Sequence, residues 1–246
     1  MNDVGCHSPL VRKFQALGPW TDSELLALGS FGSRRRRLGA HQAIFHERDA
    51  SDEAYLVQSG WTCVYKLLPD GGRQVISFPL PGDIVGISGL FLDGAQFSFE
   101  SLTPVELSPI STATLLNGAM ASSNVARAVR WSVARDSAIL VEHLVNVGRR
   151  SALMRTAHFI LELAHRLRLI GAERAGEFAC PVNQYWMADA LGLTAIHLNR
   201  VLRELREAHL VTLRAGHVSI HDYEGLKDLA VFDGDYLSPP KRVGWP

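Results

Sequence analysis

The sequence predicts an α+β fold with an N-terminal antiparallel β-roll, a long helix and a C-terminal winged helix-turn-helix. Short apolar segments separated by glycine turns fill the first half, and helical patterns around a central glycine dominate the last third. The 246 residues are 47% hydrophobic and 20% charged, which is typical of a globular protein with two domains.

The predicted β-roll follows a short helix from Thr21 to Leu28, which Thr21 caps and Glu24 completes as a capping box. Four strands are predicted, at positions 43–45, 53–57, 61–67 and 74–78. Glycine turns separate them, and strands at this spacing indicate an antiparallel roll or barrel. The arginine run at 34–37 is interpreted as a solvated strand edge, in preference to a second nucleic-acid site.

A long helix is predicted from about Ser122 to Val147, because this stretch has no proline and its only glycine, Gly148, comes at its end. Its apolar residues recur at three- to four-residue steps, so they form a seam that can pack on the β-roll or on a partner helix. The seam consists of Val129, Val133, Leu140, Leu144 and Val147. Another helix is predicted from 149 to about 170.

Two helices around a tight turn are predicted at 184–202. Ala188 is small where the helices would cross, and Gly192 falls where the chain must leave the first helix through a left-handed conformation. Thr194 would cap the second helix, and Leu198 would pack back against the first. A helical hairpin in an all-α domain is the alternative, but the spacing between the small residue, the glycine and the apolar residues favours a helix-turn-helix.

The second of these helices has two different faces. The side expected to face the core carries Thr194, Leu198, Val201, Leu202 and Leu205. The opposite side carries Ile196, Asn199, Arg200 and Arg203, with His197 on the flank. An isoleucine among cations suits a surface that reads DNA, because it can contact a thymine methyl while arginine binds guanine. The pairs Arg200–Glu204 and Arg203–Glu207 leave open that the distal part is only stabilised surface.

A β-hairpin is predicted after the second helix, with strands at 209–213 and 217–220. Such a hairpin is naturally a wing against the DNA backbone, although a solvated tip is an equal alternative for Arg214 and His217. The candidate DNA-contacting residues are Thr194, Ala195, Ile196, His197, Asn199, Arg200, Arg203, Arg214 and His217.

Composition excludes several other classes. Formal net charge is zero, while cations concentrate in the helix-turn-helix and wing, which favours a specific DNA binder over an indiscriminate one.

The three cysteines, Cys6, Cys63 and Cys180, are far apart, so we expect reduced thiols and no metal site. Oxidation of Cys180 could disturb DNA docking, but a small buried residue is the preferred interpretation. No catalytic constellation is present, so neither an enzyme nor a cofactor is expected, and no apolar run or signal peptide contradicts a cytoplasmic location.

The order of these parts resembles the Crp/Fnr superfamily of bacterial regulators. The resemblance runs from about Leu25 to Tyr223, and its most specific parts are the run 81–86 and the helix-turn-helix ending in Arg200. It implies a cyclic-nucleotide-binding-like β-roll and a homodimeric transcription factor with the long helix as dimer seam. The recognition helices would enter successive major grooves of a roughly palindromic double-stranded DNA site, and RNA polymerase would be a further partner.

Two departures from the family pattern concern the molecule or cluster that would regulate the protein. Cyclic-AMP-binding members carry a Gly-Glu and an Arg that the segment 87–100 lacks, and no Lys or Arg occurs between Arg73 and Arg127. A buried cyclic phosphate would lose charge-assisted hydrogen bonds worth roughly 1.5–3 kcal/mol each, so cyclic AMP is not expected to be required. An iron–sulfur cluster is not expected either, because only Cys6 and Cys63 are even roughly placed for one.

A third departure concerns the DNA target. Ile196 stands where family members often have a glutamate that reads cytosine, whereas Arg200 keeps the guanine-reading position. We therefore expect a half-site different from the best-known family boxes.

Two functions are compatible with these sequence features. The first is a DNA-binding regulator without a cyclic nucleotide, which a sealed filling of Leu90, Phe91, Phe97 and Phe99 would favour. The second is a regulator gated by another small-molecule or redox signal, which a sizeable pocket beside the long helix would favour. The expected limits are a tail at 1–20, the β-roll at 21–120, the dimerisation helix at 121–148, the DNA-binding domain at 149–223 and a tail at 224–246.

Overall fold

The computed structural model describes residues 8–50 and 52–239. The predicted fold class is confirmed: two antiparallel four-stranded sheets form the N-terminal roll, a long helix follows, and a helical domain with a small sheet completes the chain. The described residues contain eight α-helices: α1 (Pro9–Gln15), α2 (Asp22–Ser30), α3 (Thr112–Ala121), α4 (Ser123–Gly148), α5 (Ala152–Leu169), α6 (Gln184–Leu191), α7 (Ala195–Glu207) and α8 (Tyr223–Ala230).

The strands of the roll belong to two sheets, with orders β1-β8-β3-β6 and β2-β7-β4-β5. They are β1 (Arg36–Leu38), β2 (Ala43–Phe45), β3 (Glu53–Ser59), β4 (Thr62–Leu67), β5 (Arg73–Ser77), β6 (Ile84–Val85), β7 (Ser98–Ser101) and β8 (Val105–Ser111). A third sheet has the order β10-β11-β9. Its strands are β9 (Glu177–Ala179), β10 (Val211–Arg214) and β11 (His217–Ile220).

The predicted boundaries of the helices are largely confirmed. Thr21 caps α2, and Glu24 returns the reciprocal bond of the capping box. Helix α4 begins after Ser122, whose hydroxyl accepts a hydrogen bond from the Val125 backbone N–H, and it ends at Gly148.

The arginine run lies at the edge of a sheet, because β1 has a strand neighbour on one side only. Arg35 and Arg37 form exposed ion pairs with Glu106, and Arg34 pairs with Glu53. This arrangement agrees with the interpretation as a solvated strand edge.

The described residues form three apolar cores. One lies between the sheets of the roll, where the rings of Phe45 and Phe99 are 5.5 Å apart. A second joins α1, α2 and the first part of α4 to the roll. The third is shared between the roll and the C-terminal domain, since Tyr65 of β4 packs edge-on against Trp186 of α6 at 5.8 Å.

The two predicted tails need correction, because described residues within both segments pack into cores. Helix α1, within the expected tail at 1–20, buries Leu10 to 2% and Phe14 to 0% exposure. At the other end, within 224–246, Leu226 of α8 and Leu237 of a one-turn 3-10 helix (Asp235–Leu237) are both 0% exposed. Residues 1–7, with Cys6, and residues 240–246 lie outside the described residues.

The packing of α1 leads to a testable prediction. Phe14→Ala should lower the free energy of unfolding by about 3–5 kcal/mol, because it removes a fully buried ring that contacts Trp131. Urea denaturation measures the change. Leu26→Ala is the control: its side chain is 76% exposed, so its effect should stay within about 0.5 kcal/mol. Equal small losses in both variants would mean that α1 is not an integral part of the fold.

Candidate nucleic-acid interface and adjoining cavity

The turn between α6 and α7 has the predicted geometry. Gly192 adopts a left-handed conformation, with φ 60° and ψ 42°, and its N–H donates to the Ala188 carbonyl. The Thr194 hydroxyl accepts from the His197 N–H at 3.2 Å and so caps α7. The cap of α6 was not anticipated: the Asn183 side chain accepts from two backbone N–H groups, both at 3.0 Å.

Helix α7 divides into a buried and an exposed face, as predicted. Leu198, Val201 and Leu205 are 0–3% exposed, and Leu202 is partly buried. The opposite face is solvent-exposed and comprises Ile196, Asn199, Arg200 and Arg203, while Ala195 and His197 are half-buried. Thr194 was expected on the core side but is exposed, because as the N-cap it lies before the helix proper.

The charged side chains on this face have few ion-pair partners among the described residues. Of the two expected pairs, Arg203 and Glu207 approach to 3.8 Å between Nε and Oε1. Arg200 forms no hydrogen bond or ion pair with any described residue, so the expected pair with Glu204 is absent from this part of the chain. Ile196, the apolar side chain beside it, is 84% exposed. An unpaired guanidinium next to an exposed aliphatic group is available to contact base edges.

The predicted wing is present and carries an extra strand. Strands β10 and β11 pair antiparallel, with Arg214 opposite His217, and β9 adds to β11. Both tip residues are exposed, but His217 Nδ1 lies 3.2 Å from Glu177 Oε2 of β9. Because β9 was not predicted, this carboxylate neighbour was missed. It makes Arg214 a better candidate phosphate contact than His217.

Helix α4 exposes an apolar stripe where a dimer seam was expected. Val133, Leu140, Leu144 and Val147 are 42–70% exposed, and Val141 at 58% extends the stripe. Val129 differs, since it is half-buried against the core beneath α1 and α2.

A buried carboxylate, Asp83, joins three parts of the chain. Lys13 Nζ of α1 donates to its Oδ1 at 2.6 Å, Arg135 of α4 donates to the same oxygen at 2.8 Å, and Arg166 of α5 donates to Oδ2 at 2.9 Å. These four side chains are only 2–8% exposed. Burial alone would raise the pKa of Asp83, but the three cations hold it well below its ordinary value. We call these four residues the Asp83 cluster.

The Asp83 cluster continues through Glu162 on α5. Glu162 Oε1 accepts from Arg166 at 3.1 Å, and its Oε2 lies 2.8 Å from His143 Nε2 of α4. Burial would raise the pKa of Glu162, but His143 and Arg166 lower it to about 2. The same carboxylate raises the pKa of His143 against the effect of burial. Sequence reasoning missed this network, because its members look like ordinary helix-surface charges.

A second contact ties the roll to the helix-turn-helix. Arg73 of β5 donates two hydrogen bonds to Asp189 Oδ2 of α6, at 2.9 and 2.7 Å. Its guanidinium carbon lies 3.3 Å from the centre of the Trp186 ring. The first helix of the motif is therefore held by the roll itself.

A cavity of about 860 Å³ lies between the roll and α4. Its lining is mainly apolar, and its charged members are Asp83, Arg130, Asp136 and Arg166. The four residues expected to seal this region do not do so: Phe99 is fully buried within the roll, but Phe91 is 63% exposed and, with Phe97, lines the cavity. Leu90 is half-buried.

The two described cysteines are buried free thiols, at 0% exposure. Burial raises the pKa of Cys180 to about 11 and raises that of Cys63 as well, so neither is an activated thiolate. Within residues 8–50 and 52–239, no group of three or more His, Cys, Asp or Glu could hold a metal ion. No helix in the same ranges is both long and apolar enough to cross a membrane.

A β-roll, a long helix and a winged helix-turn-helix with a free cationic face define a DNA-binding transcription regulator. Comparison with known families agrees: residues 35–121 match the cyclic nucleotide-binding domain, and residues 154–229 match the Crp-like helix-turn-helix domain. The chain belongs to the Crp/Fnr superfamily, whose members found here are transcription regulators and not enzymes.

Relatives support this assignment. The nitrogen fixation regulation protein FixK of Rhizobium meliloti is 32% identical over 194 residues, which cover 76% of this chain and 82% of the relative. FixK of Bradyrhizobium diazoefficiens is 30% identical, covering 80% and 82%. The structure of FixK2 from Bradyrhizobium japonicum matches with a TM-score of 0.71 at 26% identity, covering 80% of this chain and 96% of that one.

The Asp83 cluster leads to a prediction about stability. Asp83→Asn removes the buried negative charge that three buried cations share, so the free energy of unfolding should fall by about 3–5 kcal/mol at pH 7 in urea denaturation. Because the pKa of Asp83 is depressed, its contribution is present above about pH 4, the ordinary carboxyl value, and is lost as pH falls. The variant should therefore lose less stability than the parent protein on acidification.

Asp93→Asn provides the control, because Asp93 is exposed and should change stability by less than about 0.5 kcal/mol. An Asp83→Asn variant as stable as this control would contradict a central role for the cluster.

Proposed function

We propose that the protein acts as a homodimer that reads a roughly palindromic DNA site through α7, without requiring cyclic AMP. The observation that carries this proposal is the exposed face of α7, where Ile196, Asn199 and the unpaired Arg200 stand together beyond a correctly formed turn. Direct readout needs such side chains at the start of the second helix. The other candidate contacts are Thr194, Ala195, His197, Arg203, Arg214 and His217.

The stripe on α4 supports the homodimer. Val133, Leu140, Leu144 and Val147 follow steps of seven, four and three residues, which is the spacing of a two-helix seam. Large aliphatic side chains in such a row are unusual on a surface that remains solvated. A parallel pair of α4 helices would cover them and present two recognition helices to half-sites about 34 Å apart.

The cavity argues against a cyclic nucleotide. Its cationic lining residues, Arg130 and Arg166, come from α4 and α5, and the roll contributes none. Arg166 is already bound to Asp83, Glu162 and the Phe78 carbonyl. A cyclic phosphate bound against the roll would therefore receive no cation from the roll itself, and Arg130 of α4 would be its one unengaged partner among the described lining residues.

A second candidate function is a regulator gated by another ligand. The size of the cavity beside α4 favours it, because about 860 Å³ lies within the range of small-molecule sites, roughly 300–1,000 Å³. Asp83 and Arg166 line this cavity and also connect the roll to α5, so an occupant would lie against the link to the DNA-binding domain.

The remaining partners follow from this role. A transcription regulator acts where DNA and RNA polymerase are found, so we place the protein in the cytoplasm with RNA polymerase as a further partner.

DNA selection tests the recognition surface. Arg200→Ala should weaken binding to the selected site by about 1–3 kcal/mol per half-site and relax the preference at one position, because it removes a fork to guanine. Selection from a random DNA pool, followed by fluorescence anisotropy, measures both effects. Arg206→Ala removes an equal charge from the last turn of α7 and should leave the preferred sequence unchanged. If Arg200→Ala weakens all sequences equally, Arg200 contacts phosphate and not a base.

Light scattering tests the seam. Leu140→Asp places a charge in the apolar stripe, so the variant should be a folded monomer. Its affinity for the full operator should fall by about 10²–10⁴, the gain expected from joining two binding units. Leu26→Asp, at a 76% exposed site on α2, should remain dimeric. A dimeric Leu140→Asp protein would exclude this helix as the interface.

A further inference from the structure

We propose that the cavity beside α4 binds an apolar monocarboxylate whose carboxylate is held by Arg130. This inference rests on the second candidate function, in which the cavity is a ligand site, and it names the chemical class of that ligand.

The walls of the cavity select for an apolar body. The roll contributes Val64, Ile84, Val85 and Phe97, and the helices contribute Leu115 and Ile139. Hydrocarbon placed against these side chains is removed from water at a gain of about 0.8 kcal/mol per buried CH₂. A polar sugar or base would instead lose its hydrogen bonds to water along most of this surface.

The charges around the cavity select for an anion. Asp83 is neutralised by three cations, Arg166 is bound to Asp83 and Glu162, and Asp136 accepts from Arg135 at 2.7 Å. Arg130 remains: it is exposed, and no hydrogen bond or ion pair engages its guanidinium among residues 8–50 and 52–239. Among the described lining residues, Arg130 is therefore the one cation without a partner, whereas Asp83 and Asp136 both accept from arginine.

The position of Arg130 on α4 strengthens this choice. It lies three residues before Val133, in register with the apolar stripe of the proposed dimer seam. In a parallel dimer two such cations would approach each other, and an anion in each cavity would relieve their repulsion. The hydroxyls of Ser88 and Ser137 also line the cavity and supply further hydrogen-bond donors.

Titration of the purified full-length protein tests the ligand class. Decanoate, 1-decanol, decyltrimethylammonium and cyclic AMP are compared below their micelle-forming concentrations by calorimetry and thermal melting. Decanoate should raise the Tm by roughly 5–10 °C when present at about a hundred times its Kd. Decanol should bind about ten- to a hundredfold more weakly, because it lacks the charge-assisted bond. The ammonium compound and cyclic AMP should leave the Tm unchanged.

Variants separate the carboxylate contact from general apolar binding. Arg130→Gln should weaken decanoate binding about ten- to a hundredfold and leave decanol binding unaltered. Arg149→Gln removes the same charge from an exposed residue beyond the cavity and should alter neither. Equal affinities for decanoate and decanol, or no loss of decanoate binding in Arg130→Gln, would overturn the proposal, as would preferential binding of cyclic AMP.

Operator binding is measured on the same samples, with and without decanoate. Selective decanoate binding that depends on Arg130 supports the ligand assignment whether or not DNA binding responds. Absence of specific DNA binding in every sample would overturn the proposed function and leave the ligand assignment intact.

Discussion

The position of each part of the molecule depends on one buried carboxylate. Asp83 lies in a turn of the roll, and its three cationic partners come from α1, α4 and α5. A charge removed from water is tolerated only when it is paired, so moving any one of these elements alone breaks a buried ion pair with Asp83. The roll, the long helix and the DNA-binding domain are consequently held in one arrangement by a contact near the wall of the cavity.

The sequence was most informative where local chemistry decides structure. Gly192, Thr194 and the capping box at Thr21 were located correctly because each acts within a few residues of itself. Strand β8 was missed since it contains Pro109, which is unusual in a strand. Proline is accommodated there because β1 begins at Arg36, opposite Leu107, and does not extend alongside it.

Long-range pairing could not be foreseen in the same way. Lys13 and Arg166 look like ordinary surface cations on amphipathic helices, and their burial depends on a partner 70 or 83 residues away in the sequence. The aromatic residues expected to fill the roll illustrate the same limit. Their hydrophobicity predicted burial, but only the three-dimensional packing decides that Phe99 is enclosed while Phe91 stands beside a cavity.

The contact between Arg73 and α6 attaches the DNA-binding domain to the roll at a place distant in sequence from Arg166 on α5. Because the packing of Tyr65 against Trp186 also holds this domain, any reorientation of the recognition helix relative to the roll must break these contacts together. The Arg73–Asp189 pair is about a quarter to a third exposed and is therefore sensitive to ionic strength. Part of the salt dependence of operator affinity would then originate at this ion pair between the roll and α6, and not only at the contacts with DNA.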